Sequence, residues 1–114
     1  MTILEIYEKV SLVIPIEQRR FFNYFEDTVN ELQSLYGDFV FIKDKDYTPP
    51  TSLSDSEYEN VVLPLYHNAI VDNILFLANA GETYKSEFIR KSRDAYLTYW
   101  NDNAKGRRIR RMRW

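Results

Sequence analysis

Catalysis needs reactive side chains in company, and this chain of 114 residues has one histidine, His67, and no cysteine. A histidine base works only beside a group that orients it and a group on which it acts. The next acid, Asp72, lies five positions on, where two residues of one helix do not share a face well. His67 therefore reads as a hydrogen-bonding or interface histidine. Asp38, Asp44 and Asp46 suggest a calcium loop, but the glycine at the turn and the bidentate Glu at the twelfth position are missing, so they read as a charged turn. Glu26, Asp27 and Glu31 lie at helical spacing and read as a solvated outer face. The absence of cysteine removes thiol nucleophiles, disulfides and thiolate zinc sites. Three glycines leave no room for a phosphate-cradling loop. An enzyme is the least supported class, and neither metal nor cofactor is expected.

The residues that do stand out are basic. Net charge is −2 overall, yet residues 105–114 hold six of the 15 bases and no acid, leaving the other 104 residues at nine bases against 17 acids, or −8. Such asymmetry marks a basic arm seeking a negative partner. Arg107, Arg108, Arg110, Arg111 and Arg113 are the arginines of this arm, suited to forked contacts with carboxylates, phosphates and aromatic faces. Ile109, Met112 and Trp114 add apolar anchors that a purely solubilising tail does not need. These eight residues are the candidate partner-binding site.

The elements that must present the arm are helical. Thr2 and Glu5 form a capping box ahead of Ile3, Ile6, Tyr7 and Val10, predicting a first helix that ends at Pro15. Glu17 opens a second, with Phe22, Phe25, Val29, Leu32 and Tyr36 on one face and Gly37 as its C-terminal cap. Phe21, Phe22 and Phe25 read as core aromatics. Between residues 38 and 59 the pattern changes. Phe39 to Ile42 is β-prone, Tyr47 to Ser52 is a loop rich in breakers, and Tyr58 to Leu63 could pair back as a short β hairpin. The alternative is an extended loop suited to contacting a neighbour. Pro64 starts a third helix carrying Leu65, Ala69, Ile70, Ile74, Leu77 and Ala78, which Gly81 closes. A fourth, from about Thr83 to Ala104, places Tyr84, Phe88, Ala95, Tyr96, Tyr99 and Trp100 inward and Lys85, Arg90, Lys91 and Arg93 elsewhere, with Gly106 as its stop. The fold class is mainly α, a bundle of about four helices with a C-terminal antiparallel hairpin. One domain, 1–104, precedes the arm, 105–114. No run approaches about 18 apolar residues, so no membrane span is expected. Charges at Glu5, Glu8 and Lys9 spoil a signal peptide, and the expected setting is cytoplasmic.

This order of parts resembles the head–tail connector (adaptor, or head-completion) proteins of tailed bacteriophages. The resemblance is strongest over residues 60–103, in Leu63-Pro64-Leu65-Tyr66-His67-Asn68-Ala69-Ile70-Val71 opening a helix, a Gly turn, and a last amphipathic helix with Tyr96 and Tyr99. It implies a non-enzymatic virion protein forming a ring, commonly of twelve subunits, beneath the portal. Such a ring extends the DNA channel used in packaging and supports tail attachment. The implied partners are the portal protein, a tail-side neck protein and further copies of the chain, with DNA passing without sequence-specific binding. The implied location is the virion neck, reached from the host cytoplasm. The all-Arg arm with its Trp is not required by the family pattern.

Two other readings use the same arm. In one, the chain is a small nucleic-acid-binding domain whose arginines neutralise phosphates while Trp114 stacks on a base. In the other, it is a helical protein-interaction domain whose tail folds on its target.

Overall fold

The computed structural model describes residues 2–42, 45–50 and 61–111, with side chains other than that of Asp38 as far as Asn101. Four helices, α1 (Ile3–Val13), α2 (Gln18–Tyr36), α3 (His67–Leu77) and α4 (Thr83–Arg111), follow one another along the chain. The fold is mainly α, as the hydrophobic periodicity predicts.

Helix α1 begins where its cap dictates. The Glu5 amide donates to Thr2 Oγ1 at 3.1 Å while the Thr2 amide donates to the Glu5 carboxylate at 3.2 Å. This reciprocal pair satisfies two donors that a helix start leaves free. After Pro15, the Tyr7 hydroxyl donates to the Ile16 carbonyl at 3.0 Å and its ring meets Phe21 edge-on, fixing the elbow into α2. Within α2 the buried face is Phe21, Phe25, Thr28, Val29 and Leu32. Phe22 is only half-buried, so the inward stripe starts one residue earlier than the spacing suggests. Gly37 ends α2 at φ 67°, ψ −149°, backbone that a Cβ would strain.

Among the described residues no strand forms. Phe39 and Val40 belong to a 3-10 turn, Gly37–Val40. The expected β pairing shrinks to one antiparallel bridge, Phe41 to Val62, with the Ile42 amide donating to the Val61 carbonyl and the Leu63 amide to the Val40 carbonyl, both at 2.8 Å. The bridge ties both ends of the excursion to the bundle, burying Val40 and Val62 completely. Phe41 stacks on Tyr47 at 5.3 Å. Residues 51–60, including the first half of the second β-prone run, lie outside the described residues.

Pro64 opens a 3-10 turn, Pro64–Tyr66, from which α3 continues. This helix packs against α1, α2 and α4, so burial is not confined to one face: His67, Ala69, Ile70, Asp72, Asn73, Ile74 and Leu75 are all covered. Leu65, expected inside, is exposed. The end of α3 also differs from expectation. The Ala80 amide donates to Leu75 O at 2.9 Å and the Asn79 amide to Phe76 O at 3.0 Å, a Schellman stop whose left-handed residue is Asn79 at φ 63°. Asn tolerates that conformation, so the helix closes before Gly81.

Helix α4 does not stop before Gly106. It runs 29 residues, or about 43 Å. One glycine in a helix costs about 1 kcal/mol relative to Ala. The neighbouring Lys and Arg are good helix formers, and cations near a helix C-terminus are favoured by its dipole. The predicted stop is overridden by its surroundings.

Candidate partner-binding surface

Helix α4 carries the basic segment, and the bundle holds that helix through polar contacts its own sequence does not reveal. Asn73, fully buried on α3, donates from Nδ2 to Thr28 Oγ1 at 2.9 Å and to Glu31 Oε2 at 3.3 Å on α2. The Thr28 hydroxyl in turn donates to the Tyr24 carbonyl at 2.7 Å. From α4, Lys85 Nζ donates to Glu31 Oε1 at 2.6 Å and to Asn73 Oδ1 at 3.2 Å. It also stands 4.8 Å from the centre of the Phe88 ring and 5.5 Å from that of Phe76. One lysine thus locks α4 to both neighbours. A second clamp lies further along, where Lys91 Nζ reaches Asp72 Oδ2 at 2.7 Å, an ion pair rather than an aligned hydrogen bond. Glu31 is therefore not the freely solvated acid its helical spacing suggests, and Lys85 and Lys91, placed off the apolar face, tie α4 to its neighbours. Glu26 and Asp27 are exposed as expected.

Aromatic rings brace the helix ahead of its basic segment. Tyr36 stacks on Tyr96 at 4.8 Å, and its hydroxyl lies 3.2 Å from Ser92 Oγ. Phe39, delivered by the 3-10 turn after α2, meets Tyr99 and Trp100, each at 6.0 Å. Phe39 and Trp100 remain partly exposed. Beyond this brace the helix carries Arg107, Arg108, Ile109, Arg110 and Arg111 as its closing turns. Met112, Arg113 and Trp114 lie outside the described residues. The candidate arm thus continues α4 at least through Arg111.

His67 is buried, with Nε2 2.8 Å from the Val62 carbonyl. Since a carbonyl only accepts, Nε2 carries the proton and donates. The contact pins the start of α3 to the returning end of the excursion, a structural use that agrees with the sequence reading. Burial pushes the imidazole below its usual pKa, outweighing the carbonyl, which favours the charged form. The folded state accordingly resists protonation more than the unfolded chain does. Stability is complete above the unfolded value of 6.5 and declines as pH falls from there toward the folded pKa. Urea midpoints of the wild type and His67→Gln should diverge between pH 5 and 7.5, the wild type losing more on acidification. Parallel profiles would remove His67 from the pH response.

Asp72 pairs with Lys91, and Asp46 is exposed; Asp44 lies outside the described residues. Among the described residues there is no group of three or more His, Asp or Glu able to hold a metal ion. Among them, too, no helix is long and apolar enough to cross a membrane. An open groove of about 430 Å³ at the α1–α2 elbow, lined by Ile14, Pro15, Ile16, Tyr24 and Ala78, has only Glu17 and Arg20 as charged walls.

No protein-family model matches the chain, and neither a curated protein nor a solved structure matches it.

Proposed function

We propose that the chain is a head–tail connector of a tailed-phage virion, a non-enzymatic ring subunit that binds beneath the portal, extends the DNA channel and supports tail attachment. The observation that carries this reading is α4, which continues from a braced position in the bundle into a closing segment of Lys105, Arg107, Arg108, Arg110 and Arg111. A segment presented on a continuous helix reaches its partner partly pre-ordered, which lowers the entropy cost of docking. The arginines then pair with portal carboxylates while Ile109 and Trp114 supply apolar anchors. The rest of the chain, at net −8, borders a DNA channel without gripping phosphates.

Light scattering of the protein mixed with portal protein at moderate salt tests the reading. The full chain should form a stoichiometric complex, and a chain lacking 105–114 should lose it while keeping its helical circular dichroism. Undiminished portal binding by the shortened chain would sink the docking role. A full chain that ignores the portal but shifts with DNA, steeply with salt, would select the nucleic-acid reading.

A further inference from the structure

Helix α4 leaves an apolar strip uncovered, and the outer face of α1 carries one exposed leucine beside its acids. On α4, Ile89, Leu97 and Trp100 are 43%, 49% and 42% exposed, and their spacing of eight and three places them on one face with Arg93 among them. On α1, Leu12 is 86% exposed, one turn beyond the exposed Glu8. Neither Glu8 nor Arg93 takes part in an ion pair among the described residues. Four positions separate Glu8 from Leu12 and Arg93 from Leu97, about 6 Å of helix in each case. Laid side by side, the two faces set acid on base and leucine on leucine.

The two faces do not cover each other within one chain, since both are exposed there. A symmetric contact would be frustrated: α4 on α4 brings Arg93 toward Arg93, and α1 on α1 brings Glu8 toward Glu8. We infer that α1 of one copy docks along α4 of a second copy, with Glu8 on Arg93 and Leu12 against Leu97 and Trp100. The contact is heterologous, so every copy keeps one unused face and the association propagates until it closes. Closure into a ring rests on the connector reading; the contact itself rests on the two faces.

Light scattering of two surface variants tests it. Leu12→Glu spoils the α1 face and Leu97→Glu the α4 strip, both at exposed positions where folding should survive, as circular dichroism checks. Wild type should assemble with concentration, and each variant alone should associate on the order of 30-fold more weakly. Mixed in equal amounts they should form a heterodimer and go no further, because only one good contact can then be made. Glu8→Arg and Arg93→Glu should each weaken assembly, and the two combined in one chain should restore it. A wild type that stays monomeric at every concentration overturns the contact. So does a single variant that assembles normally, or a mixture that remains monomeric. If the arm-dependent portal complex still forms in any of those cases, the connector reading survives the loss of this interface.

Discussion

Phe88→Ala should remove a large share of the stability of the bundle. The ring is fully buried on the inner face of α4, and truncating such a ring costs about 3–5 kcal/mol through lost transfer energy and the cavity left behind. A domain of this size has about 5–15 kcal/mol in total. The loss should lie toward the upper end, because Lys85 rests over the same ring and would lose part of the surface that holds it beside Glu31 and Asn73. Urea unfolding should show a large fall in midpoint with the slope unchanged, so that the change belongs to the folded state. Trp100→Ala, at a ring 42% exposed, is the contrasting case and should shift the midpoint far less. Equal shifts for the two variants would contradict the inner and outer faces assigned to α4.

Asn73→Ala should cost about 2–3 kcal/mol, more than the few atoms removed would suggest. The amide donates to Thr28 and Glu31 and accepts from Lys85, so its loss deprives α2 and α4 of a shared partner and leaves the fully buried Thr28 hydroxyl without its donor. Unsatisfied buried groups cost more than a net hydrogen bond returns. A double-mutant cycle with Thr28→Val separates the two contributions. If the hydroxyl matters chiefly through Asn73, the second substitution should add little once the first is made, giving a coupling above about 0.5 kcal/mol. Strict additivity would show that the amide and hydroxyl act independently.

These residues also mark where sequence reasoning succeeds and where it stops. Local signals were legible because each lies within a few positions: the Thr2–Glu5 box, the end of α2 at Gly37, the beginning of α4 at Thr83. The Asn79 stop was not, since glycine two residues on offered a stronger version of the same signal. Nor was the Asn73 hub, whose partners Thr28, Glu31 and Lys85 come from two other helices; helical spacing on one segment carries no trace of a contact across three. The same gap made Glu31 read as a solvated acid and left Lys85 and Lys91 without partners in the sequence reading. Of the candidate site, composition revealed the arginines and their apolar anchors. It did not reveal that α4 continues through Gly106, because a single unfavourable residue cannot be weighed without the neighbours that offset it.

The topology has a kinetic consequence. Helices α3 and α4 are joined by a turn of a few residues, so their pairing is a local event that can precede the rest. Helix α1 packs on α3 only after the chain has closed a loop of roughly sixty residues, a late and entropically costly step. A nascent or partly unfolded subunit would then hold a formed α3–α4 hairpin while α1 is still undocked. Since the α1 ridge is the inferred contact to the next copy, such a subunit could accept a neighbour on α4 but could not present the opposite side. Chain order would thereby couple completion of the fold to entry into an assembly.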